Sequence, residues 1–145
     1  ISISNAICFS PDRSCAYFAD TMQQRIWRQP LDGEGWPEGE RLPFLDLAAL
    51  DLWPDGAITD SEGGVWNAQW GAGRVVRYLP DGRFDRAIDL PVPHVSCPAF
   101  AKGRLVATTA QEGLDAAALS RAPLSGQVFD LGAVAFARHE PAVHL

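Results

Sequence analysis

One interval governs this chain: 49 residues. Ser10 to Gly33, SPDRSCAYFADTMQQRIWRQPLDG, can be laid beside Asp60 to Gly82, DSEGGVWNAQWGAGRVVRYLPDG. At one constant offset Tyr17 meets Trp66, Ala19 meets Ala68, Arg25 meets Arg74, Arg28 meets Arg77, Asp32 meets Asp81 and Gly33 meets Gly82. A fixed period of roughly 40 to 50 residues built from short strands is the mark of a propeller blade or a comparable β array. Such a unit cannot bury its apolar faces alone, so copies must stack. The 145 residues leave room for about three of them.

The coarse reading is therefore all-β, with residues 1–145 read as one domain of stacked repeats. Short runs rich in Val, Ile and aromatics predict strands at Ala6 to Phe9, Ala16 to Ala19, Arg25 to Gln29, Ala57 to Thr59, Val65 to Gln69, Val75 to Leu79, Ala87 to Leu90, Ala99 to Phe100, Leu105 to Thr109 and Gln127 to Leu131. PD, DG, GG and KG pairs punctuate them, which is turn chemistry at all-β spacing. Leu114 to Ala122, between Gly113 and Pro123, is the one helical candidate, and Leu31 to Pro43 reads as a loop.

Composition removes several classes of function. A net charge of -6 with a single lysine, Lys102, leaves no basic cluster for nucleic acid. No apolar run reaches the ~18 residues of a membrane span, and ISISNAICFS lacks the pattern of a signal peptide. A soluble, cytoplasmic protein is the expectation. Cys8, Cys15 and Cys97 are odd in number and form no CxxC pair, so reduced, buried thiols are expected rather than a disulfide framework or a zinc knuckle. The chain does not begin with Met, and Met22 is its only methionine, which reads as a fragment or processed piece.

SNAICFSPDRSCAYFADT, PDGAITDSEGGVWNAQWGAGRVVRYLPDG, LPVPHVSCPAF and TTAQEGLDAAALSRAPLSGQVF, in that order and up to about Phe129, resemble the gluconolactonase and regucalcin (senescence marker protein) family of lactone hydrolases. The resemblance implies a six-bladed β-propeller with one divalent metal ion at the central channel, of which this chain supplies the C-terminal half. It also implies metal-dependent hydrolysis of a sugar lactone to the sugar acid. The family's N-terminal half, with its metal-ligand Glu and the Arg and Asn that hold substrate, has no counterpart in these residues.

Asn5 and Asp55 lie 50 residues apart, each just before the first predicted strand of its unit. In a propeller those strands start at the channel, so two oxygen side chains would converge there. Hard cations such as calcium, magnesium or manganese take carboxylate and amide oxygens, though Asp before Gly and Asn before a strand are also ordinary turn residues. The resemblance assigns both as metal ligands, with calcium, zinc, magnesium or manganese as the ion, and Asp55 doubles as general base. Trp70 and Gln69 are the substrate-binding candidates, an apolar wall with an amide beside it. Asp20 and Asp60 read as organisers of turns or inter-blade hydrogen bonds. His94 reads as a loop residue that could line the channel mouth. HEPAVH, His139 to His144, fails as a zinc-protease motif on spacing and on Pro141.

Two rival functions stay open, a non-catalytic metal-binding propeller and an inactive remnant. Three blades cannot close a ring, so Tyr17, Trp27, Trp66, Val75 and Tyr78 are expected to stack between blades while two outer faces stay apolar and open. The piece is then expected to need its missing half or self-association.

Overall fold

The computed structural model describes residues 1–138. His139 to His144 therefore lie outside the described residues. Eleven strands form three antiparallel sheets among the described residues. The first sheet runs β1 (Ser4–Phe9), β2 (Cys15–Asp20), β3 (Arg25–Pro30) and β4 (Leu42–Asp46) in simple meander order. The second repeats it with β5 (Trp53–Thr59), β6 (Val65–Trp70), β7 (Arg74–Tyr78) and β8 (Phe84–Asp89). The third has β9 (Val95–Ala101), β10 (Arg104–Thr109) and β11 (Val128–Gly132). β1 packs against β5, and β5 against β9, so the leading strands of the three sheets are neighbours. This is the blade arrangement that the 49-residue period predicts.

Register explains why the two candidate ligands are 50 residues apart in a 49-residue repeat. Ser4 pairs with Asp20 and Pro54 with Gln69, so Asn5 and Asp55 each follow an equivalent pairing by one residue. The turn from Phe9 to its partner Ala16 spans seven residues, and the turn from Thr59 to Val65 spans six. One residue is lost in that turn. Both ligands therefore stand inside the leading strand rather than just before it, at a bulge that skips Ala6–Ile7 in β1 and Asp55–Gly56 in β5. A bulge leaves a residue out of the ladder and re-aims its side chain.

Two apolar clusters glue the blades. Ala6, Cys8, Tyr17, Ile26, Val76 and Tyr78 fill the space between the first and second sheets, while Trp66, Ala68, Val75, Val95, Leu105 and Ala107 fill that between the second and third. Because side chains alternate across a strand, β7 sends Val75 to one cluster and Val76 to the other. Tyr17, Trp66, Val75 and Tyr78 are buried as the stacking expectation requires, whereas Trp27 is half-buried under the Arg41 guanidinium. On the first sheet Ile7 and Phe9 are exposed, and Val128 is exposed on β11.

The structure corrects three local readings. β4 falls partly within the expected loop, since a strand carrying Pro43 reads poorly on its own and forms only by pairing with β3. Strands β5, β8 and β9 start earlier than their apolar runs. The helix α1 is Ala116–Arg121, six residues rather than nine, capped by Asp115 accepting from the Ala118 N–H at 2.7 Å.

Candidate functional site

Where β1 and β5 begin, a cavity of about 560 Å³ opens, lined by Ile3, Asn5, Thr21, Met22, Trp53, Asp55, Trp70, His94, Glu112 and Gly113. All three blades contribute to it. Asn5 and Asp55 reach this one cavity from successive leading strands, as the repeat predicts. Glu112, which the sequence reading did not single out, adds a second carboxylate from the segment after β10.

Asn5 is the last paired residue before its bulge, whereas Asp55 lies within its own. The Asn5 Nδ2 donates to the Thr21 hydroxyl at 2.9 Å, so its Oδ1 is the atom left for a cation. Asp55 is half-buried and forms no ion pair among the described residues. Burial, and then the charge of Glu112, push its carboxyl up to about 6, against the opposing pull of the Gly56 N–H. The bulge beneath it is clamped by Asn67, whose Nδ2 donates to the Asp55 and Gly56 carbonyls at 3.2 Å each. Gly56 has no room for a side chain, because a Cβ there would stand 2.6 Å from the Cys97 Sγ and 2.7 Å from the Ser96 carbonyl oxygen. Asn67 itself was missed. A fully buried Asn in VWNAQW is the available signal, since an amide in an apolar strand must be bonded to something.

Trp70 lines the cavity and stacks on His94, ring centroids 4.1 Å apart and planes within 10°. His94 is thus a wall of the site rather than a plain loop residue. Gln69 is placed otherwise. It is fully buried, donating to the Tyr78 hydroxyl at 2.9 Å and accepting from Arg74 at 2.6 Å, and lies outside the cavity lining. Standing one position earlier on the same strand, it points to the opposite face.

Asp20 and Asp60 organise backbone. Asp20 accepts from the Ser2 and Ile3 N–H groups at 3.0 and 3.2 Å, pinning the approach to β1. Asp60 accepts from the Gly64 N–H, the Trp66 indole and Arg77. A cavity of about 580 Å³ at the other end of the first blade also carries carboxylates, but those of Asp12 and Asp32 are spent on neighbouring turn donors.

Hard-cation chemistry suits this donor set. Asn5 and Asp55 offer an amide and a carboxylate oxygen to one cavity, with Glu112 within electrostatic reach of Asp55. Among the described residues no three His, Cys, Asp or Glu side chains gather closely enough to hold a metal by themselves.

An open stack of β blades whose leading strands bring an amide and a carboxylate oxygen to a common cavity defines a class, the β-propellers. Comparison with known proteins narrows it: the model of the SMP-30/Gluconolactonase/LRE-like region matches residues 1–111, and the chain belongs to that family. It is 43% identical to an L-arabinolactonase of Azospirillum brasilense over 95% of this chain and 45% of that protein. It is 39% identical to a 6-deoxy-6-sulfogluconolactonase of Pseudomonas putida over 89% of this chain and 45% of that one. The crystal structure of a calcium-binding protein, regucalcin, from Agrobacterium tumefaciens superposes on the whole chain with a TM-score of 0.94 at 42% identity, and the chain covers 50% of it. The chain spans about half the length of the relatives it matches.

Proposed function

We propose that the protein carrying this chain hydrolyses a sugar lactone to the open sugar acid, with Asn5 and Asp55 among the ligands of one divalent metal ion. The observation that supports it most is Asp55, a half-buried carboxylate that forms no ion pair among the described residues, lining a cavity in a chain whose relatives include lactonases. A divalent ion bound there would polarise the lactone carbonyl and lower the pKa of an attacking water. Asp55 is the general base. Half-buried and lining the same cavity, its carboxylate is placed to take the water proton. Water oxygen bonds to the carbonyl carbon, the ring C–O bond breaks, and the departing alkoxide takes a proton to leave a hydroxy acid. The Trp53 and Trp70 rings give the sugar an apolar wall, and Gln69 acts only by bracing β6.

Residues 1–145 form one partial domain in this reading, completed by three further blades, from the missing half of a longer chain or from a second copy. Exposed Ile7 and Phe9 support that need. A cytoplasmic setting fits the thiols of Cys8, Cys15 and Cys97, none of which is in a disulfide. No described helix is long and apolar enough to cross a membrane.

A non-catalytic calcium-binding propeller is the second reading, favoured by the calcium-binding neighbour. Acid release from a panel of sugar lactones, with and without chelator, separates the two. Chelator-sensitive hydrolysis that Asp55→Ala abolishes is expected; hydrolysis that survives in Asp55→Ala would overturn the assignment, and metal binding without any hydrolysis would leave the second reading.

A further inference from the structure

We infer that Thr21 is a positioning residue that sets the spacing of Asn5 and Asp55 by hydrogen-bonding across the junction of the first two blades; this rests on the reading of that pair as metal ligands. The Thr21 hydroxyl accepts from the Asn5 Nδ2 at 2.9 Å and donates to the Pro54 carbonyl at 2.7 Å. A hydroxyl has one proton. With that proton committed to Pro54, Thr21 can only accept from Asn5, so the amide nitrogen must turn toward Thr21 and Oδ1 away from it.

The same hydroxyl anchors the peptide from which Asp55 projects, because Pro54 is the preceding residue. One atom thus ties a ligand of the first blade to the backbone of a ligand in the second. Thr21 is itself fixed. Its N–H donates to the Ile3 carbonyl at 3.0 Å, and the neighbouring Asp20 carboxylate holds the Ser2 and Ile3 N–H groups. It is only 9% exposed, so little water is at hand to replace either bond.

The repeat does not demand this residue. Forty-nine positions on, the second blade has Trp70, which bridges to the third blade by stacking on His94 instead. Of these two equivalent positions, only the one at the junction carrying both oxygen ligands has a hydroxyl. Partners that orient metal ligands typically change metal affinity by about 10- to 100-fold when removed.

Thr21→Val keeps the shape and removes the hydroxyl, and Thr21→Ser keeps the hydroxyl. In the protein carrying this chain, Ca²⁺ titration by calorimetry should show about 10- to 100-fold weaker binding in Thr21→Val and near-native binding in Thr21→Ser. Without metal, the side-chain amide protons of Asn5 followed by NMR should lose their protection from exchange in Thr21→Val and keep it in Thr21→Ser. Unchanged Ca²⁺ affinity in Thr21→Val, or unchanged Asn5 protection, overturns the positioning role. A wild-type protein that shows the protected Asn5 signal yet binds none of Ca²⁺, Zn²⁺, Mg²⁺ and Mn²⁺ overturns the ligand reading instead. Thr21→Ala gives the same NMR readout if the valine variant does not fold.

Discussion

The first and second blades are copies in register and unlike in environment. Both place an arginine on their third strand at the same repeat position, Arg28 and Arg77. Arg28 is half-buried in a groove it lines with Ser61, Glu62 and Pro80 of the second blade, whereas Arg77 is 4% exposed and meets Asp60 at 2.7 Å, Glu62 at 2.9 Å and Asp85 at 3.0 Å. The first blade's turn solves its own needs, with Asp12 accepting from the hydroxyls of Ser10 and Ser14. The second blade's turn is one residue shorter and sends Asp60 inward to Trp66 and Arg77. A repeat therefore fixes register, while its neighbours decide which polar positions must be paired.

Arg77 should give the largest effect. Arg77→Ala leaves the buried Asp60 carboxylate with N–H donors but no cation, and removing one member of a buried pair costs about 3 to 5 kcal/mol. Arg28→Ala, at a half-buried position with no ion pair among the described residues, should cost about 1 kcal/mol or less. Denaturant unfolding of both variants tests this, and similar losses would break the distinction between the blades.

Gly56→Ala comes next. Its counterpart Ala6 already carries a methyl, but at Gly56 the third blade stands in the way, since an added methyl carbon would lie 2.7 Å from the Ser96 carbonyl oxygen. Overpacking of that kind costs about 1 to 3 kcal/mol. A thermally neutral Gly56→Ala would mean the second and third blades are packed more loosely than described.

A third test is acid. Hydrogen bonds from the Ser2 and Ile3 N–H groups and from Gln23 outweigh burial and hold the Asp20 carboxyl below its ordinary 3.8. A depressed folded pKa gives stability that is present above the unfolded value and lost as pH falls through the folded one. The melting-temperature gap between wild type and Asp20→Asn should therefore be full at neutral pH and shrink below about 3.8. A gap that stays constant into acid would show that the charge of Asp20 holds nothing.

The smallest effect concerns Ala6, held at φ +53° beside the bulge. L-residues there carry a strain of about 1 to 2 kcal/mol, partly offset by the entropy of a glycine, so Ala6→Gly should stabilise by about 1 kcal/mol or less. Destabilisation would mean that the buried Ala6 methyl matters more than its backbone.

Much of this was legible in the sequence because the period is a statement about register. Tyr17 over Trp66 and Arg28 over Arg77 located the blades, and Asn5 with Asp55 marked equivalent places in them. What pairing across distance creates was not legible. β4 needs β3 to exist, the bulges after Asn5 and at Asp55 appear only when β1 meets β2 and β5 meets β6, and the Thr21 hydroxyl has meaning only once Pro54 arrives 33 residues later. Gln69, the substrate-binding candidate beside Trp70, lies outside the cavity lining because side chains alternate along β6. His94 gained a role because the chain entering the third blade lays it on Trp70.

The central claim is that successive blades each contribute one oxygen ligand to the same ion. Calorimetric titration of Ca²⁺ into the protein carrying this chain, beside its Asn5→Ala and Asp55→Ala variants with melting curves as the control for folding, tests it directly. One ion per chain in wild type, with binding lost or severely weakened in each variant at unchanged fold, is the predicted result. Undiminished Ca²⁺ affinity in a folded Asp55→Ala variant would contradict it.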